Sequence, residues 1–476
     1  MKSSCHPRIV IIGAGFSGTS IAMQLHRLAT MPVEIYLIEA HNPFGTGFAY
    51  ATAHPALRLN GPASFLSAFE HLPEDFVDWL KREPHAQPML KTGLPVGGQF
   101  VPRSLYGDYL LHILTQVRSP SRGGAVLRLV RARVVTIDDT GEELVVSLQG
   151  GECFRADCAV LATGHYAPKD FCPQLTEPHY IGDSRDWRWT TRIAASDSIL
   201  FIGTGQTMID CLSVLSANGH KGPMFAVSRR GLIAHPHATV TIPYDLRTEQ
   251  FPSNLNELVK HIRDEVCRFS ENGGDWRAVM AAFLPATQFL WMSLPVRDKK
   301  RFFEHLEPYW YIHRTRLPPD IAAMVDGLRS SGRLKVFAGR LISAKQAGQL
   351  VHTLLKQRTS CNTFDLEVNV VVNCTGPNLD LANSQDPFMC SLLQKGLIQP
   401  HPAGVGIMIS DSGAVVNAIG SVSSRLFALG LLCKGALLES IVIREIRKQS
   451  EQLAKLLLDS CAHRSIGSDP SHARDA

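Results

Sequence analysis

The chain has 476 residues, 45% of them hydrophobic and 19% charged, with a net charge of +5. That length predicts two or three domains, and the composition is that of a soluble globular protein. The basic residues are spread along the chain and form no long run, which excludes nucleic acid as a partner and leaves only a mild pull on small anions.

The first predicted element is the apolar strand RIVII at residues 8–12. It runs into Gly13-Ala14-Gly15-Phe16-Ser17-Gly18 and then a helix with apolar spacing at Ile21, Leu25 and Leu28. VEIYLIEA is the next strand and ends at Glu39. In this βαβ unit the first glycine permits the sharp turn. The second lets backbone N–H groups approach a pyrophosphate, and the third lets the helix pack close to the sheet with its positive N-terminus toward the phosphates. Glu39 stands where a carboxylate accepts hydrogen bonds from a free ribose diol.

A loop-rich stretch, 41–67, precedes a helix around FVDWLKRE and an amphipathic helix over 101–117. Residues 128–164 read as short strands broken by turn residues, a small antiparallel sheet closing with CAVLATG. A second βαβ unit begins at Asp197. Ile199-Leu200-Phe201-Ile202 leads into Gly203-Thr204-Gly205-Gln206-Thr207-Met208, then the helix TMIDCLSVLSANG and the strand PMFAVSRR. Met208 replaces the third glycine and should hold this helix slightly further off its sheet. Ser228-Arg229-Arg230 stands where the first unit has Glu39. Guanidiniums there suit a 2′-phosphate, and they also read as a solvated loop. The two turns therefore predict two different dinucleotides, FAD at the first and a nicotinamide cofactor, NADPH ahead of NADH, at the second.

Residues 245–330 are mostly helical in periodicity, VNVVVNCTGP is a buried strand, VVNAIG and LFALG follow, and an amphipathic helix spans about 435–458. The polar tail, 464–476, reads as disordered. The fold class is α/β with two Rossmann-like domains. Residues 1–165 and 377–476 form a discontinuous FAD domain, and 166–376 form an NAD(P)H domain with a helical insertion at about 245–330. Eleven cysteines at irregular spacing, with no CxxC, predict reduced thiols and no metal site. The short N-terminal apolar run has no signal-peptide design, and no stretch is long and apolar enough to span a membrane. A cytoplasmic protein, monomer or homodimer, is the expectation.

With both units placed, the chain resembles the flavoproteins with two dinucleotide-binding domains, among them the single-chain flavin monooxygenases. More narrowly it resembles a bacterial family of FAD/NAD(P)-binding proteins. The matching stretches are FGTGFAYATAHPALRLNGPASFLSAF (44–69), FVPRSLYGDYL (100–110), ILFIGTGQTMID (199–210), AVSRRG (226–231), EPYWYIHRTRLPP (307–319) and LFALGLLCKGALLES (426–440). The resemblance implies an NAD(P)H-driven monooxygenase using dioxygen on a small molecule. Members of that family include amino-acid N-hydroxylases and an FAD-dependent urate hydroxylase. It also implies that Ala162-Thr163-Gly164 and Cys374-Thr375-Gly376 link the domains near the flavin, with Gly430 beside it. Gly430 is followed by Leu431 where many two-domain flavoproteins have Asp, and the FxGxxxHxxxW-like string of one monooxygenase class has no clean counterpart around 177–189.

Asn60, in RLNGPA, is the candidate for holding the flavin or the reacting oxygen; before Gly61 it also reads as a turn former. His54 and Arg58 are weaker candidates of the same kind. PYWYIHRTR (308–316) offers either a packed helix face or a substrate pocket. In the second case aromatics including Tyr309 stack on a planar group, beside His313, and Arg314 or Arg316 pairs with an anion. Arg103, after Pro102 near a helix start, is a further anion contact or simply part of a helix entry. The aromatic density leans toward a urate-type heterocycle, with amino-acid or amine N-hydroxylation as the alternative. A flavin reductase would need a cysteine pair or an apolar membrane face, and a non-catalytic flavin-binding regulator would need only the first turn.

Overall fold

The computed structural model describes residues 6–52, 54–117, 119–246 and 251–467. In chain order the first half of the molecule holds β1 (Arg8–Ile12), α1 (Phe16–Leu28), β2 (Glu34–Glu39), α2 (Gly47–Tyr50), α3 (Asp75–Arg82) and α4 (Arg103–Gln116). Five strands follow: β3 (Val126–Arg131), β4 (Val134–Asp139), β5 (Leu144–Leu148), β6 (Cys153–Ala156) and β7 (Cys158–Leu161). Next come β8 (Tyr180–Ile181), β9 (Ile199–Ile202), α5 (Gln206–Ala217) and β10 (Met224–Ser228). A helical stretch contains α6 (Leu255–Glu271), α7 (Trp276–Ser293), α8 (Val296–Arg301), α9 (Glu307–Arg314) and α10 (Pro319–Ser330), with a π-helical turn, Phe302–Leu306, joining α8 to α9. Strands β11 (Leu334–Ala347), β12 (Leu350–Gln357), β13 (Thr363–Val368) and β14 (Val370–Asn373) precede α11 (Pro387–Gln394), β15 (Ala414–Val416), β16 (Val422–Ala428) and α12 (Ile443–Gly467).

Two sheets organise these elements. The first has the order β15-β16-β7-β1-β2-β3 and is parallel except for β15. The second has the order β13-β12-β11-β10-β9-β14-β8, with parallel pairing from β11 through β8 and antiparallel pairing over β11-β12-β13. The central strands β7, β9 and β14 are buried at every residue, as expected for parallel strands covered on both faces. Separate apolar clusters fill the two faces of each sheet. On the first sheet α12 packs against α1.

Several expectations are corrected here. The small antiparallel sheet is β4-β5-β6 alone; β3 and β7 lie in the first parallel sheet, where β2 and β1 supply their partners. The C-terminal helix begins at Ile443, after turns at 435–442, and runs to Gly467, so the expected disorder does not start at 464. Residues 468–476, the remainder of that tail, lie outside the described residues. The hairpin β11-β12-β13 was not anticipated. Among the described residues no helix is long and apolar enough to cross a membrane.

Candidate functional site

The first glycine turn packs backbone closely against backbone. Gly13 has φ +100°, and a Cβ on it would lie 2.3 Å from Ala162 O. A Cβ on Gly18 would lie 1.8 Å from Gly13 O, and one on Gly47 would lie 2.6 Å from Gly15 Cα. Helix α1 starts at Phe16 with no side chain capping its first N–H groups, which leaves them and the positive end of the helix for an anion. Glu39 closes the turn: Oε2 accepts from Ala14 N–H at 3.0 Å and Oε1 from His41 N–H at 3.0 Å. Gly430, at φ +83°, lies against Ser17, whose Oγ would be 2.5 Å from an added Cβ. Ala162 continues β7, and Thr163 is hydrogen-bonded to Tyr166. The Phe16 side chain is buried against the Tyr106 ring, so its backbone alone faces the cradle.

The second turn repeats the construction. Gly203 has φ +108°, and its Cβ would lie 2.5 Å from Cys374 O. Met208 fills the third glycine's place with a fully buried side chain in the core of the second sheet. Thr204 Oγ1 donates to Leu232 O at 2.6 Å, and the Ser228 hydroxyl accepts from Gly231 N–H at 3.0 Å, fixing the loop after β10. A cleft here is lined by Gly205, Ser228, Arg229, Arg230, Tyr311 and Thr375. Arg229 is exposed. Arg230 lies over the Tyr309 ring, 5.4 Å from its centroid, and donates to His305 O. Gln206 N–H at the start of α5 donates to Tyr311 Oη at 3.2 Å. Burial pushes the Tyr311 phenol up to about 12, so it keeps its proton. Thr207 is half-buried in the first turn of α5.

Of the residues proposed for substrate, His313 and Arg316 stay together and the others separate in space. The aromatics of α9 do not form one stack: Tyr309 lies under Arg230, Trp310 packs against the cluster around Trp291 and Phe302, and Tyr311 meets the second glycine turn. The basis for a planar ligand at 309–311 is thereby lost. Arg314 is taken by the buried carboxylate of Glu439, with contacts at 2.9 and 3.1 Å. Arg103 is taken by Asp210 in a bidentate pair at 2.7 and 2.8 Å, and its Nε donates to Arg58 O. Neither guanidinium is free for a substrate anion. His313 Nδ1 contacts Tyr309 O, with its ring against His235 and Trp276. Arg316 Nε donates to His313 O, its guanidinium lies over Trp276, and it makes no ion pair among the described residues.

Among the described residues Asn60 has a buried Oδ1 with no partner, and its carbonyl accepts from His237 Nε2 at 2.8 Å. An unpartnered buried amide oxygen is costly, and here it lies where the two halves of the molecule meet. His54 reaches Asn218 Oδ1 at 3.4 Å and lines a second cleft with Phe48, Arg185 and Trp187. Sequence reasoning missed His235, His237, Asp210, Glu439 and the Glu307–Lys434 ion pair. The one local signal that could have found two of them is HPH at 235–237, shortly after the second βαβ unit.

Residues 10–166 match the family model described as FAD-NAD(P)-binding. No curated protein matches the chain in sequence. Among solved structures, the ornithine N-hydroxylase of Kutzneria sp. 744, with reduced FAD, NADP+ and L-ornithine, is 14% identical with a TM-score of 0.66, covering 97% of this chain and 100% of that one. The FAD-bound cadaverine monooxygenase of Erwinia amylovora is 13% identical with a TM-score of 0.67, covering 97% and 96%. L-lysine 6-monooxygenase of Pseudomonas syringae is 18% identical with a TM-score of 0.64, covering 97% and 100%. At these identities the likeness is one of fold, and it spans nearly the whole of each chain. In fold the chain is similar to the N-hydroxylating flavin monooxygenases, and its first 166 residues include a segment that matches an FAD-NAD(P)-binding unit.

Proposed function

We propose that the chain is an FAD-dependent, NADPH-driven monooxygenase that hydroxylates an amine nitrogen of a small substrate. The observation that carries this reading is the doubled cradle. Gly13 closes against Ala162 and Gly203 against Cys374, while the strand ends beside them carry opposite charge, Glu39 at one and Arg229 and Arg230 at the other. Relatives of the same fold act on ornithine, lysine and cadaverine, all amines, which favours N-hydroxylation over a urate-type heterocycle. The divergence of Tyr309, Trp310 and Tyr311 weighs the same way.

The residues present fit both cofactors. Backbone N–H groups of Gly15, Phe16 and Ser17 would hold the FAD pyrophosphate, Glu39 its ribose, and Ala162, Thr163, Gly164 and Gly430 would border its far side. Gly205 and Thr207 would hold the NADPH pyrophosphate, joined by Gln206 where the phosphate displaces Tyr311 Oη from its N–H, with Ser228, Arg229 and Arg230 at the 2′-phosphate. On this reading residues 1–165 and 377–476 carry FAD, and 166–376 carry NADPH. When bound, the two cofactors supply reducing power and oxygen activation. The protein's part is position and dryness. Tyr311 offers a neutral phenol at the second cradle, and the Asn60 amide, with Oδ1 unpartnered, stands ready to accept an N–H where the halves meet. A reductase would want a CxxC pair, which the sequence lacks, and a regulator would not keep the second turn.

The test is turnover under isotopically labelled dioxygen with NADPH and a panel of amines, amino acids and urate. One labelled oxygen atom on an amine nitrogen is expected. NADPH consumption with no labelled product from any amine, or a labelled urate product, sinks the N-hydroxylase assignment.

A further inference from the structure

We infer that Arg316 is the docking point for an anionic group of the substrate, in a recess shared with His235, His237 and Trp276, so that the substrate is a carboxylate-bearing amine and not a diamine. The inference rests on the monooxygenase reading above.

The backbone builds the recess. Leu317 N–H donates to His235 O and His237 N–H to Leu317 O, both at 2.8 Å, making a parallel bridge between Pro236 and Leu317. Leu317 is fully buried in the core of the second sheet. Because successive side chains alternate in extended backbone, His235, His237 and Arg316 fall on the opposite side. That side is walled by α7, whose Trp276 ring meets His235 and His313 at centroid distances of 5.2 and 4.9 Å and lies 5.5 Å from the Arg316 guanidinium. It also reaches the other half of the molecule, where His237 contacts Asn60 O and the Phe100 ring. This side therefore adjoins the segment that carries Asn60, which the proposed function places near the flavin.

The charges of this recess leave one cation over. Arg277 is held by Asp275, with Nη1 contacts at 3.0 and 3.2 Å, and donates from Nε to Pro236 O. Arg314 is neutralised by Glu439. Arg316 has only the backbone carbonyl of His313 and the face of Trp276. Burial, with Arg277 and Arg314 nearby, pulls it down to about 10. A guanidinium kept charged at that cost gains most from an anion, and bidentate pairing with a carboxylate is the geometry it favours. His235 and His237 are also pulled below their usual range, by burial first. As neutral rings they neither cancel nor add to the guanidinium charge at neutral pH. A diamine would bring a second ammonium to a place with no unpaired carboxylate among the described residues, which is repulsive.

The test uses the FAD-loaded protein and succinate as a carboxylate probe, followed by titration calorimetry. Wild type should bind succinate, Arg316→Gln should weaken it about tenfold or more, and Arg316→Lys should recover part of the loss. Among the described residues the Arg316 Nη atoms hold no protein partner, so the variants should fold, and their melting temperatures check this. In turnover, L-aspartate and L-glutamate should outcompete cadaverine, and Arg316→Gln should raise KM more than it lowers kcat. No succinate binding by wild type, undiminished binding by Arg316→Gln, or efficient use of cadaverine overturns the inference. Reduction of the wild-type flavin by NADPH is measured alongside: its failure sinks the monooxygenase reading, whereas succinate binding judges the recess independently.

Discussion

A methyl group on Gly13 would lie 2.3 Å from Ala162 O in a backbone already at φ +100°. Both the strain and the clash fall on backbone, which cannot swing aside as a long side chain would, so each costs about 1–3 kcal/mol. Gly13→Ala should therefore produce protein that has lost most of its FAD, read from the flavin absorbance of the purified material. Gly98→Ala is the control, since its Cβ meets nothing within 4 Å and its φ is ordinary; it should stay yellow. Equal flavin content in the two variants would remove Gly13 from the cradle. Glycine turns of this kind are legible in sequence because the requirement is local: strand, turn, helix and the closing Glu39 lie within 32 residues. The fate of an arginine is not. Arg103, Arg314 and Arg316 look alike in the sequence, yet the first two meet Asp210 and Glu439, 107 and 125 residues away, and the third meets no acid among the described residues. Pairing across the fold decides which guanidinium is free, and no local pattern encodes it.

The two βαβ units were readable as elements for the same local reason, since apolar runs of four or five residues end in glycine and give way to helical spacing. Strand partners were harder. β3 and β7 flank the antiparallel β4-β5-β6 in sequence, and short strands close together read as one sheet, whereas β2 and β1 claim them through parallel pairing. The hairpin β11-β12-β13 escaped because β11 is half-exposed and continues one strand through two kinds of pairing, parallel to β10 and then antiparallel to β12 past an irregularity at Leu341 and Ser343. The end of β10 carries a prediction. Arg229 and Arg230 border the second cleft, and Arg230 is steadied by the Tyr309 face. Replacing both by alanine should lower kcat/KM for NADPH by about 10–100-fold relative to NADH, the scale of one or two charge-assisted contacts. Anaerobic flavin reduction with each nucleotide measures it. An unchanged ratio would mean that the 2′-phosphate is read elsewhere.

Across the whole molecule the two sheets are tied by polar contacts between their halves. Helix α4 meets α5 through Arg103 and Asp210, α9 meets the segment before α12 through Arg314–Glu439 and Glu307–Lys434, and Trp291 Nε1 donates to Gly435 O. The Arg103–Asp210 pair is the tie whose removal says most. Burial pushes the Asp210 carboxyl up, opposed by the charge and hydrogen bonds of Arg103. Arg103→Ala would leave a buried carboxylate without its cation, at a cost of about 3–5 kcal/mol. The raised carboxyl then sets the pH dependence. In the variant Asp210 takes up a proton more readily folded than unfolded, so its destabilisation is small below the ordinary carboxylate range near pH ~4 and grows as pH rises above it. Thermal unfolding across that range should show the gap between variant and wild type widening with pH; a constant gap would mean that Asp210 is not the group left stranded. Arg103→Met with Asp210→Leu removes both charges and should recover much of the stability. If the pair serves only stability, this double variant should reduce its flavin with NADPH at the wild-type rate. The placement of the pair between the halves that the proposed function assigns to FAD and NADPH argues otherwise: on that reading a small change in their relative orientation would displace the nicotinamide from the flavin, and rates fall steeply with such misplacement. The expected outcome is a stable double variant whose flavin reduction is slowed by about tenfold or more, and a wild-type rate would sink the positioning role.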